Sequence, residues 1–371
     1  MVYNFVIKNS LPNHSFMLKK LKFVIFFLGL CLPIISCFYS YKGTKDANYR
    51  APATAKDLLP HHKNSLEWWY FSSHLNDTAG NKYGVMFTVF KKYIPIMGHG
   101  LMINYTVTNE KTKTFYKWHG FKAIKKNKLK DSLFNLSQKT KKVKWVMQHL
   151  PNQQMVLNVN IKNKKIPALQ ATLTPIKKLI AEADSGYMQY QNMGKAGYLS
   201  YTRMATTAKL IFNKNPPIAC QGNTWFDKQW NCGSIVKKHA SWNWLGIQLA
   251  NGEELMLFST YNKKTKTTQT QGTIILQNSN TIYLNNNHIL LAPSQYYKAP
   301  SGRMYPTLWA FNIPSQNITA TVKPLFNNHE LSLKLFGKSF MNYWEGKCEV
   351  NLIKNGVAIK GEAFLEMTNP K

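Results

Sequence analysis

The chain is poor in acidic residues, arginine, cysteine and long helical periodicity. Acidic residues number 16 against 48 lysines and arginines, giving a formal net charge of +32 over 371 residues. Such a balance points in general to nucleic acid or to an anionic membrane surface. Only three of the basic residues are arginines, however, and the lysines are spread along the chain in runs such as KKNKLK (125–130) and KTKKVK (139–144). Base edges are read chiefly by the bidentate guanidinium, and no nucleic-acid motif is present, so no nucleic-acid partner is expected. The lysines read as a solvated surface, with attraction to anionic lipid as the alternative. No cysteine or histidine spacing resembles a zinc site, and the adjacent His61 and His62 would point to opposite faces of a strand. Neither metal nor cofactor is expected. The missing G-x-S-x-G elbow removes support for a Ser-His-Asp hydrolase, and scattered acids give little for a two-carboxylate glycosidase.

What is present is a globular composition, 44% hydrophobic and 13% aromatic, enough for a sizeable core. From Met17 the chain reads MLKKLKFVIFFLGLCLPIISC, a lysine cluster, an apolar run and then Ile34-Ile35-Ser36-Cys37. That layout marks residues 1–36 as a signal segment, with Met17 as an alternative start. Ile34 to Cys37 resembles a bacterial lipobox, with Cys37 as the point of lipid attachment and residues 37–58 as a tether. A plain signal peptide or an uncleaved anchor is the alternative. The expectation is an exported bacterial lipoprotein at the cell envelope, held to the membrane by its N-terminal lipid or secreted. Cys220, Cys232 and Cys348 then lie in a disulfide-permissive setting. Cys220 and Cys232 flank one motif and are candidates for a bridge, which would leave Cys348 odd.

Period-two runs dominate the rest: YGVMFTVF, QMVLNVNI, GTIILQ, ITATVKP and ELSLKLF, separated by turns such as NDTAGN and IKNGV. This predicts an all-β chain built as barrels or sandwiches. A repeat sharpens it. WWYFSSHLNDTAGNKYGVMFTVFKK (68–92) parallels WNWLGIQLANGEELMLFSTYNKK (242–264), setting Trp68 on Trp242 and Leu75 on Leu249. The stretch 198–230 parallels 343–369, setting Gly222 on Gly361, Trp225 on Phe364 and Asp227 on Glu366. Two barrel-like domains follow, 59–235 and 236–371. Features shared by both halves read as fold, and features of one half as site candidates. Glu67 and Arg203 belong to the second group, and as charges on apolar strands they need partners, for which each is a candidate for the other.

These same residues carry a family resemblance. EWWYFSSHL (67–75, with His61 before it), YLSYTRM (198–204), GNTWFDKQW (222–230), WNWLGIQLANGEELML (242–257), SGRMYPTLWAFNIP (301–314), NHEL (328–331), YWEG (343–346) and GEAFLEMT (361–368) resemble the AttH-like proteins and carotenoid 1,2-hydratases. The resemblance runs from about residue 61 to the C-terminus. It implies two lipocalin-like, calycin-type antiparallel β-barrel domains in tandem and a cavity suited to long apolar or isoprenoid ligands. In the hydratase branch, water adds to an unactivated alkene. That branch carries a histidine after the aspartate and a glycine after the tryptophan, where this chain has Asp227-Lys228-Gln229-Trp230-Asn231.

Hydrating an isolated double bond requires a proton donor, a stabilised cation and a placed water. Along a strand Trp225, Asp227 and Gln229 share one face, and Phe226, Lys228 and Trp230 the other. Asp227 is the candidate general acid beside Trp225, with Gln229 holding water and Glu67 and Arg203 in support. The alternative for Asp227 is a structural carboxylate on a closing strand. Trp69, Tyr198, Trp225, Gln229, Trp230 and Trp244 are the candidate ligand-binding side chains. Tyr198, Tyr343 and Glu345 also read as fasteners of the hairpins. Binding or carrying an apolar lipid or isoprenoid is the leading expectation. Hydration or hydrolysis of such a ligand, and a non-catalytic scaffold, are the alternatives.

Overall fold

The computed structural model describes residues 53–368 apart from 62, 63, 65, 95–97, 125–134, 184, 192, 193, 214, 234–239, 336 and 337. The signal segment and Cys37 lie outside the described residues. Two antiparallel sheets, of twelve and ten strands, each curl into a near-closed barrel. At the centre of the first, Leu66–Asp77 pairs with Lys82–Ile94 on one side and with Ile218–Trp230 on the other, followed by Lys195–Ile211. The second repeats the plan with Ala240–Leu249 between Glu254–Asn262 and Val357–Thr368, followed by Lys338–Lys354. The register confirms the repeat: Tyr70 stands opposite Asp227 in one sheet, and Trp244 opposite Glu366 in the other.

Successive side chains of a strand point to opposite faces, and both faces of these central strands are covered. Trp69, Phe71, Leu75, Phe226 and Trp230 fill the first barrel. Leu245, Ile247, Leu249, Leu365 and Met367 fill the second. The opposite faces supply Tyr70, Trp225, Trp242, Trp244 and Phe364, which form a third cluster on the seam where the barrels pack together. Burying each large side chain contributes about 1.5–3 kcal/mol. Gly246 makes the seam close: a Cβ there would lie 2.5 Å from the Trp244 ring and 3.2 Å from that of Trp225. Without it the two indoles meet edge to face, 5.9 Å apart.

The end of the segment read as a tether is built into the first barrel. Ala55–Leu58 forms one 3₁₀ turn, Leu58 is buried, and the Trp69 Nε1–H donates to the Leu58 carbonyl at 2.9 Å. His61 then stacks on Trp230 at 5.2 Å. Cys220 and Cys232 form no bridge, contrary to expectation; both are free. Cys220 stands opposite Asp77 and the Cys232 N–H bonds the Leu66 carbonyl, at opposite ends of one strand pair. An extended run of this length separates them by roughly 35–40 Å.

Candidate active site on the seam

A cleft opens where the two barrels meet. It encloses about 450 Å³ with the open space at its mouth included. Its wall pairs equivalent positions of the repeat: Trp68 with Trp242, Tyr70 with Trp244, Tyr198 with Tyr343, and Asp227 with Glu366. Glu345, Gln229 and Thr88 complete its polar lining. Three carboxyls therefore meet in one aromatic cleft.

Asp227 is held by three donors. Ser200 Oγ and Trp225 Nε1 donate to Oδ1, each at 2.6 Å, and the Tyr198 hydroxyl donates to Oδ2 at 2.7 Å. Tyr198 in turn accepts from Trp244 Nε1 of the other barrel at 2.8 Å. The exchange is reciprocal, because Tyr70 of the first barrel donates to Glu345 Oε1 of the second at 2.6 Å. Asn104 Nδ2 donates to the Tyr343 hydroxyl at 2.7 Å. Each barrel thus positions groups on the carboxyl side of its neighbour.

Burial sets the acidities. It pushes Asp227 up to about 7 against the pull of its three donors. Burial also raises Glu366 to about 7, offset by the indole of Trp242 and reinforced by the charge of Asp227. Glu345 is held well above the ordinary carboxylate range by burial and then by the charge of Glu366, which stands opposite it in the strand pair. Two like charges so placed cannot both ionise freely, so a proton stays with the pair. The Tyr70, Tyr198 and Tyr343 hydroxyls are raised by burial and then by the carboxyls beside them, so they stay protonated donors.

The sequence-predicted residues divide. Asp227, Gln229, Tyr198 and Trp244 line the cleft, and Trp225 reaches it through its bond to Asp227. Trp69 and Trp230 do not: they sit in the first barrel core, on the opposite strand face. Glu67 and Arg203 do not pair. Glu67 is fully buried at the end of the first barrel, where Lys91, Lys228 and the His61 ring hold it. Lys228 Nζ also lies 3.6 Å over the Trp69 ring. Arg203 crosses the seam instead, its Nε 2.5 Å from Glu254 Oε1, with Lys177 2.7 Å from Oε2. Lys228, where the hydratase branch has histidine, points away from the cleft. Asn231, where that branch has glycine, has φ 61°, a left-handed conformation that asparagine tolerates. Sequence reasoning missed Trp68, Tyr70, Trp242 and Glu366, and gave Glu345 only a fastening part. All but Glu345 stand at positions the repeat pairs with each other, which the sequence reading took as fold.

Tandem antiparallel barrels with an acid and aromatic cleft on their seam define the class. A profile of the AttH-like family matches residues 46–370, and the chain belongs to that family. Its fold is similar to that of a protein assigned as an AttH from Nitrosomonas europaea, with TM-score 0.72 at 16% identity over 87% of this chain and 98% of that one. Kievitone hydratase from Nectria haematococca follows the same fold, with TM-score 0.66 at 15% identity over 89% and 95% of the two chains. CghA, solved with Sch210972, matches with TM-score 0.56 at 9% identity over 83% and 89%. No curated protein matches the chain in sequence.

Proposed function

We propose that this protein is a hydratase-type enzyme that adds water to an alkene of an apolar lipid or isoprenoid, acting outside the cytoplasm on a Cys37 lipid tether. The observation that carries the reading is the meeting of Asp227, Glu345 and Glu366 in an aromatic cleft between the barrels. The name of kievitone hydratase, which shares the fold, supports the same reaction class.

In this reading each group has a role. The Tyr70 hydroxyl fixes Glu345 Oε1 as an acceptor, which leaves Oε2 to carry the acidic proton. Glu345 gives that proton to one alkene carbon, and the positive charge develops on the other. The faces of Trp68, Trp242 and Trp244 stabilise it, by about 2 kcal/mol or more where water is excluded. Water adds to the cation, and Asp227, ionised above about pH 7, takes the released proton. This reverses the general-acid part first given to Asp227. Activity then falls as pH drops below about 7 and Asp227 becomes protonated. It falls again as pH rises through the raised value of Glu345.

The test is incubation with a panel of isoprenoid and other apolar alkenes in ¹⁸O-water, read by mass spectrometry. Label enters one product hydroxyl in the wild type, and Asp227→Asn and Glu345→Gln each lower the rate by about 100-fold or more. Absence of label across the panel, or variants as active as wild type, rejects the reading.

A further inference from the structure

An apolar path leads out of the cleft. Among the residues that line it, Trp68, Phe90 and Glu366 are half-buried and the rest are buried, so its mouth lies at those three. The strand register shows what lies beyond. Directly opposed residues of antiparallel strands share a face and touch. One such row begins inside the cleft, with Tyr198 opposite Gln229 and Gln229 opposite Trp68. It continues with Phe90 opposite Trp68, Met102 of Gly98–Asn109 opposite Phe90, and Phe121 of Thr114–Ile124 opposite Met102. Thr114–Ile124 ends the strand order of the first sheet on that side.

The row changes chemistry along its length, polar inside the cleft and apolar from Trp68 outward. The Trp68 and Phe90 rings lie 5.8 Å apart. Trp68 and Met102 both pack against the aromatic cluster of the seam. Leu101 and Ile103 on either side of Met102 point into the first barrel core, so Met102 lies on the outer face, where it, Phe90 and Phe121 are all half-buried. The neighbouring rows differ: Tyr70, Thr88, Asn104 and His119 run along one side, and Leu66, Lys92, Gly100 and Ala123 along the other. Single surface hydrophobics are ordinary. Four in register, continuous with the mouth of a cleft, mark a binding surface.

A cleft of about 450 Å³ with its mouth included is at the small end of ligand pockets. A long apolar substrate that sets a double bond among the acids therefore leaves the rest of its chain outside, and the row is the apolar surface that meets it there. We propose that Trp68, Phe90, Met102 and Phe121 form a track for the hydrocarbon tail of the substrate, so that the enzyme acts near one end of a linear chain. From Trp68 to Phe121 the row crosses three strand spacings, about 14 Å. An extended carbon chain advances roughly 1.25 Å per carbon, so the track takes a tail of about eleven carbons. The flexible thioether of Met102 adapts to a chain with or without methyl branches.

The track rests on the hydration reading for its purpose, and its test reads binding alone. Binding of 1-hexanol and 1-dodecanol to the full-length protein is measured by isothermal titration calorimetry and by NMR of ¹³C-labelled methionine methyls. A primary alcohol presents to the acids the hydroxyl of a hydrated product. Each further methylene laid on the track tightens binding by about two- to threefold, so dodecanol binds about 100-fold more tightly than hexanol. Dodecanol shifts the Met102 methyl, assigned with Met102→Leu, and hexanol does not. Met102→Gln weakens dodecanol about tenfold and leaves hexanol unchanged, whereas Met102→Leu binds both as the wild type does. The methyl shift is read on the wild type, so the test stands even if Met102→Gln fails to fold. No binding of either alcohol, equal affinity for both, or a Met102 methyl that ignores dodecanol overturns the track. Chain-dependent binding at Met102 without ¹⁸O incorporation rejects the hydration reading and leaves the track; ¹⁸O incorporation with a silent Met102 does the reverse.

Discussion

Glu67 beside Trp68 and Trp69 shows how a single residue is read and misread. A charge on an apolar strand demands partners, and that much is visible in the sequence. Which partners it finds is set by register: Lys91 stands directly opposite Glu67 on one neighbour, and Lys228 opposite Trp69 on the other. The two ammonium groups and the His61 ring outweigh the burial that would raise Glu67, and hold it far below its ordinary value of 4.5. A folded-state value below the unfolded one adds stability that is complete above about pH 4.5 and is lost as pH falls below it. Glu67→Gln strands two buried lysines, so it lowers the unfolding free energy by about 3–5 kcal/mol in urea titrations at pH 7. It also flattens the acid limb of the stability curve. A change below 1 kcal/mol would show that the cluster is not the ionised one described.

At the scale of the element, alternation settles most of what a strand does. The sequence faces of GNTWFDKQW came out as drawn, with Trp225, Asp227 and Gln229 on one side and Phe226, Lys228 and Trp230 on the other. What alternation does not reveal is what lies beyond each face. A strand covered on both sides looks the same in sequence whether its second face meets a helix, a loop or another barrel. Glu345 and Glu366 were therefore illegible as a site until the two sheets were seen to pack on one another. The strap of residues 53–61 carries its own pH dependence. Burial opposes the charged form of His61, but Asp57 and Glu67 more than offset it, and its value is raised above 6.5. The contribution of His61 is complete below pH 6.5 and is lost as pH rises through the folded value. Hydrogen-exchange protection of the 53–61 amides, corrected for intrinsic rates, falls between pH 6 and 8 in the wild type. It does not in His61→Gln. Equal pH dependence in both proteins would remove His61 from the latch.

Over the whole molecule, the seam ties the barrels into one unit. Glu254 of the second barrel receives Lys177 and Arg203 of the first, and Lys347 of the second meets Glu110 of the first at 2.5 Å. Aromatic packing lies between these pairs. Urea unfolding is therefore expected to run as a single transition seen alike by tryptophan fluorescence and circular dichroism. Glu254→Gln leaves two cations facing a neutral amide and separates the two signals. A wild type that already melts in two steps would contradict a cooperative seam. The repeat that predicted two similar barrels was legible over most of the chain, whereas the candidate bridge between Cys220 and Cys232 does not form, because proximity to one motif says nothing about the ends of a long strand.

The seam also has a history written in its differences. A barrel that duplicates and packs on its copy begins with the same residue on both sides of the shared surface, and a site made that way has no direction. Among the positions where the copies differ, one pair bears on the acids: Ser200 stands opposite Asp227 where Glu345 stands opposite Glu366. One side carries a small hydroxyl that donates to its acid, and the other carries a second acid. Joining the two copies in one chain is what let each side change without the other, so a symmetric origin could yield a left hand and a right hand.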